Sequence, residues 1–215
     1  MAFGEDIDDE VLQNQIGGDR SNSPDNETLF IMDSIIQRLK PKDSHHVKEM
    51  INQRGLASGA LLMTSLLFWW ISIKKGGDQV NDSNIPVSMI GQFEFETLSI
   101  VVAIIIFMAT LVMILGREKG NATISNLGGL LIVLGIFYIL EPLILNFEVL
   151  GAESAIFASG RLFGLATMIF LSSKFFFDAL LLQWVSSSMV NMGIDVLSKN
   201  NYEDNTGPNE EENSY

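Results

Sequence analysis

The chain has 215 residues, 47% hydrophobic and 18% charged, and its apolar residues are concentrated between positions 56 and 185, a distribution that points to a membrane class over a soluble core. Cysteine is absent, so disulfides, thiol redox chemistry, iron–sulfur clusters and thiolate zinc sites are excluded from this chain. The net charge of −13 is carried largely by the two ends and disfavours nucleic-acid binding, which needs a basic patch.

Residues 1–23 mix acids, Asn, Gln and Gly with few large apolar groups. They cannot offset their ordering entropy and read as a disordered acidic arm. The acidic run at residues 5–10 lacks the glycine and ligand spacing of a calcium loop, so it reads as part of that solvated arm. No early apolar run follows a basic start, and no cleavable signal peptide is expected.

Residues 24–55 are expected to form cytoplasmic amphipathic helices. Ser23 and Pro24 offer a helix start, and Leu29, Met32, Ile35, Ile36 and Leu39 follow at helical spacing, opposite Asp33, Gln37, Arg38 and Lys40. Pro41 ends this helix. Its apolar stripe fits two placements, one on the inner membrane surface and one packed against another subunit or this protein's own spans. A second start signal, Asp43 with Ser44, precedes Val47, Met50 and Ile51 and predicts a helix running through Arg54 and Gly55 into the first span. His45 and His46 are adjacent, so on a helix they point about 100° apart and read as a solvated pair, not a metal site.

A bilayer core of about 30 Å needs roughly 20 mostly apolar residues as a helix. Four stretches approach that length, at residues 56–73, 98–116, 127–147 and 155–185. A chain this small has no means of burying four such helices in water. The predicted fold is therefore an all-α integral membrane protein with four transmembrane helices in residues 56–185, an N-terminal interfacial amphipathic helix and disordered acidic termini. Trp69 and Trp70, followed by Lys74 and Lys75, are expected to anchor the outer interface, and Trp184 the inner one. Basic residues near the span ends favour cytoplasmic termini: Arg38, Lys40, Lys42, Lys48, Arg54, Arg117, Lys119 and Lys199 share one side, while Lys74 and Lys75 take the other. The cell membrane is the expected location.

The connection over residues 74–96 carries Gly76, Gly77 and Pro86. Within it, residues 87–95 suggest a short strand or a re-entrant piece, and Asn81-Asp82-Ser83 fits a glycosylation pattern. The fourth apolar stretch, at about 31 residues, would extend roughly 46 Å, more than a bilayer core. Ser172 and Ser173 are the expected break, because serines can return hydrogen bonds to the preceding turn. Beyond residue 185, an amphipathic cytoplasmic extension to about residue 197 precedes a disordered acidic tail, together residues 186–215.

Four ionisable residues fall within or beside the last two spans: Glu141, Arg161, Lys174 and Asp178. A mid-bilayer charge costs roughly 2.5–3.5 kcal/mol, so pairing is expected. Glu141 and Arg161 are equidistant from a predicted tight turn near Gly151, which puts them at equal depth for an interhelical ion pair. Lys174 and Asp178, four residues apart, lie within reach on one helix face, with a further partner or water needed. These groups could line an ion or proton path, or act as clips that hold a bundle together. A rival register places Glu141 and Arg161 at the outer interface and makes residues 142–160 a re-entrant loop.

Gly160 and Gly164, extended by Gly151, Ala155 and Ser159, form a small-residue packing face, and Gly55 with Gly59 repeats the pattern in the first span. No GxSxG elbow, HExxH signature or phosphate-binding glycine loop occurs, and no catalytic, metal or cofactor-binding residue can be nominated. The expected function is that of a non-catalytic subunit or scaffold of a larger membrane complex. Its partners would be membrane lipids and other membrane subunits or further copies of itself. The alternative is a small oligomeric channel or transporter using the intramembrane charges, and an enzyme acting on lipids is the weakest of the three.

Overall fold

A computed structural model describes residues 26–75, 88, 91–145 and 152–193. The acidic arm, the Ser23–Pro24 start, the glycosylation pattern, the turn near Gly151 and the tail beyond Gly193 lie outside the described residues. Those described are helical, with no strand among them. Helix α1 is Asn26–Leu39 and α2 is Ser44–Trp69, which widens into a π-helical extension, Trp70–Lys75. Then follow α3 (Phe95–Glu118), α4 (Ala122–Leu145) and α5 (Ala152–Met192). The last four are long and apolar enough to cross a membrane.

Local chemistry sets most boundaries. α1 carries Glu27 in its first turn and Arg38 in its last, complementing the helix dipole. It closes where Lys40, at φ 47°, donates its backbone N–H to Ile36 O at 2.7 Å before Pro41. Asp43 caps α2 as expected, accepting from the His46 N–H at 2.6 Å. In the turn to α4, Gly120 takes φ 63° and the Asn121 side chain accepts from the N–H groups of Thr123 and Ile124. Of the possible strand over residues 87–95, Gly91 forms a turn and Phe95 already begins α3.

α5 is the central helix. It packs against each of the other three spans, while α3 and α4 form a tight antiparallel hairpin. The hairpin depends on glycines that sequence spacing did not single out. A Cβ on Gly128 would lie 2.7 Å from Met113 N, and one on Gly116 would lie 2.9 Å from the backbone carbon of Ile124, so only hydrogen fits at either place. The predicted small-residue faces behave differently. A Cβ on Gly55, Gly59 or Gly160 would meet nothing within 4 Å, and one on Gly164 would meet only the ring of Phe68. Ala155 and Ser159 are buried.

Two further expectations are corrected. α5 does not break at Ser172 and Ser173, but runs unbroken for 41 residues, about 60 Å at helical rise. Ser173 does return a hydrogen bond to Ile169 O (2.6 Å), yet Ser172 reaches across to Ser58 O on α2 (2.9 Å), so one of the two ties α5 to α2 and neither interrupts the helix. The loop that the rival register expects over residues 142–160 is helix wherever those residues are described. α4 continues through Pro142 to Leu145, and α5 has begun by Ala152.

The excess length of α5 is accounted for by a second core. One cluster lies among the four spans, built from residues such as Phe95, Val102, Ile106, Tyr138, Leu162 and Leu165. The other joins Met32, Ile35 and Ile36 of α1 to Val47 of α2 and to Leu182, Val185 and Met189 of α5. The α1 stripe is therefore spent on the protein's own helices, the second of the two placements its sequence allowed. Together α1, the start of α2 and the end of α5 make a three-helix head.

Candidate functional site

Between the two cores lies a layer of charge assembled from four helices. Arg38 reaches down from the last turn of α1, Arg54 projects from α2 two residues before its apolar stretch, Glu118 ends α3, and Asp178 sits on α5. The Arg38 Nη1 is 2.6 Å from Asp178 Oδ1, and its Nε is 2.9 Å from Glu118 Oε1. Arg54 Nη1 pairs with Asp178 Oδ2. The Ser34 hydroxyl donates to Glu118 Oε2 at 3.1 Å.

Three of the four carboxylate oxygens accept hydrogen bonds, the fourth, Glu118 Oε1, lies in ion-pair range of Arg38 Nε without one, and two guanidiniums balance two carboxylates. Asp178 and Glu118 are each only 2% exposed, so their desolvation is nearly complete. Such burial is tolerable because each charge is paired and hydrogen-bonded. Removing one partner from an arrangement of this kind typically costs about 3–5 kcal/mol.

The sequence expectation for Asp178 is corrected here. Its partners come from α1 and α2, not from Lys174 on its own helix, whose side chain is exposed one turn away. Arg38, Arg54, Glu118 and Ser34 do not stand out as site residues in the sequence. By its spacing Arg38 belongs to the solvated face of α1, and Glu118 sits between Arg117 and Lys119, where it reads as part of a polar loop. The signal available was depth: Asp178 needs a cation at its own level, and Arg54 borders the first span as Glu118 borders the second.

The other predicted residues lie elsewhere. Glu141 is buried on α4, and Arg161 is partly buried on the adjacent α5. Trp69 is half-buried and donates its indole N–H to Ser99 Oγ on α3 (2.8 Å), while Trp70 and Trp184 are exposed. Near Trp69, Lys74 Nζ pairs with Glu96 Oε1 at 2.6 Å, a second bridge from α2 to α3.

Below those bridges α2 and α3 part over α5 to leave an apolar cleft of about 630 Å³, lined by residues such as Leu66, Ile104, Phe107 and Ile169. It offers no charged group. A polar groove of about 460 Å³ lies at the opposite end of the spans, between α1 and the end of α3. Among the described residues no group of three or more His, Asp or Glu is placed to hold a metal ion.

These features describe a multi-pass helical membrane protein whose four span-length helices carry a three-helix head on a layer of buried ion pairs. No known protein family, curated protein or solved structure matches the chain.

Proposed function

We propose that this chain is a non-catalytic subunit or scaffold of a larger membrane assembly. The observation that carries the reading is the pairing of Asp178 and Glu118 with Arg38, Arg54 and Ser34 from other helices. Charges that relay ions or protons must exchange partners. Charges held from several helices at once instead fix the helices, and through them a docking surface. In this reading the head and both termini face the cytoplasm of a cell-membrane protein, in accord with the basic residues near the charged layer. α1 then lies at the membrane interface, and Glu141 pairs with Arg161 between α4 and α5. The acidic terminal arms and the exposed faces of the spans contact the partners.

Purification from native membranes in mild detergent tests the proposal. Stable companions in fixed ratio support it. A homogeneous homo-oligomer that conducts ions after reconstitution, with conduction lost in Asp178→Asn, would replace it with the channel reading. One observation favours that second reading: Lys174 is exposed at span depth one turn from Asp178 and makes no ion pair among the described residues. As an oligomer, several copies could bring this cation to a shared path.

A further inference from the structure

The groove between α1 and the end of α3 carries two opposite charges that do not meet. It is lined by Phe30, Asp33, Ser34, Gln37, Arg38 and Arg117. Arg117 and Asp33 both border it, yet neither forms an ion pair with the other or with any described residue. One Asp33 oxygen accepts from Gln37 Nε2 at 2.9 Å, which fixes the carboxylate and leaves its other oxygen open. Arg38 also borders the groove, but its Nη1 is taken by Asp178, its Nε lies 2.9 Å from Glu118 Oε1 and its Nη2 is buried, so Arg117 is the cation the groove exposes.

A guanidinium and a carboxylate facing one space without contact suit a ligand carrying both complementary charges. The groove's position narrows the choice. Ser34 and Arg38 bond directly to Glu118, the last residue of α3, so the groove lies where the apolar spans end and lipid headgroups begin. Phe30 is 60% exposed at its edge, an aromatic placed as interfacial aromatics are.

We propose that this groove binds a zwitterionic phosphate ester with a primary ammonium, supplied as the headgroup of a phosphatidylethanolamine-type lipid. The phosphate is received by Arg117 and the ammonium by Asp33. A fully methylated ammonium has no N–H to give Asp33, and a headgroup without a cation leaves Asp33 facing the phosphate as a like charge. The site therefore discriminates among phospholipids by the amine.

The test is native mass spectrometry of the delipidated full chain in detergent, titrated separately with phosphatidylethanolamine, phosphatidylcholine, phosphatidylglycerol and soluble phosphoethanolamine. Phosphatidylethanolamine is expected to bind about tenfold more tightly than the other two lipids, the worth of roughly one charge-assisted hydrogen bond. Asp33→Asn is expected to remove that preference, and Arg117→Gln to weaken all three lipids. Both side chains are exposed, and an unchanged thermal transition establishes that each variant is folded. Equal binding of the three lipids to the unaltered chain overturns the proposal, as does an unaltered preference in Asp33→Asn. Soluble phosphoethanolamine binding as tightly as the lipid overturns the lipid source and assigns the groove to a free phosphate ester.

Discussion

Arg38 and Asp178, 140 positions apart in the chain, are joined by a 2.6 Å ion pair that fastens the N-terminal helix to the longest span. Arg54 holds the other oxygen of the same carboxylate, so α1, α2 and α5 meet on a single side chain. Asp178→Ala leaves two arginines without their shared anion and is expected to destabilise the folded chain by about 3–5 kcal/mol. Thermal unfolding in detergent measures this. In a double-mutant cycle, Arg54→Gln with Asp178→Asn should lose less than the sum of the two single losses.

The α3–α4 hairpin should be far less tolerant of added volume than the predicted small-residue faces. Gly128→Val drives side-chain atoms into the Met113 backbone and is expected to abolish the folded state or shift its thermal transition strongly downward. Gly160→Val, where a Cβ meets open space, should leave the transition of the isolated chain nearly unchanged. Similar transitions in the two variants would contradict this account of the hairpin.

Leu182 is fully buried in the head core, against α1 and α2. Leu182→Ala is expected to cost about 2–5 kcal/mol, with the loss concentrated in the head. Hydrogen exchange should then quicken in Asn26–Leu39 while the α3–α4 hairpin keeps its protection. Uniform quickening across all helices would show the two cores to be one cooperative unit.

The bridge from Trp69 to Ser99 is a single hydrogen bond between partly buried neutral groups. Trp69→Phe keeps most of the ring's packing and removes the donor, so a loss of about 0.5–1.5 kcal/mol is expected in the same unfolding assay. A much larger loss would mean that Trp69 supports the helix pair through its volume and not its N–H.

What the sequence revealed was local. Span length, the Asp43 cap and the stop at Pro41 each depend on a few consecutive residues, and the helices begin and end close to where those signals stand. The site depends on which helices become neighbours. Asp178 was visible as a costly charge, but the nearest cation in sequence, Lys174, was the wrong partner, because the two arginines come from helices more than a hundred residues away. The excess length of the fourth apolar stretch was legible, while its cause was not. Leu182 and Val185 look like lipid-facing residues until α1 is known to cover them. GxxxG spacing pointed to Gly55, Gly59, Gly160 and Gly164, whereas the closest backbone approach fell to Gly116, against Ile124, and Gly128, against Met113, which stand on two different helices.

We propose that the charged layer marks the end of the hydrocarbon region, with the three-helix head outside it. The chain has no cysteine, so single cysteines can be introduced and probed without background. Val190→Cys on the head and Leu66→Cys and Ile104→Cys on the spans all replace exposed side chains, so protein packing does not decide their reactivity. In opened membrane vesicles, a membrane-impermeant maleimide should label Val190→Cys rapidly and leave the two span positions unlabelled until detergent is added. Equal shielding of all three, or rapid labelling at Leu66→Cys and Ile104→Cys, would contradict it.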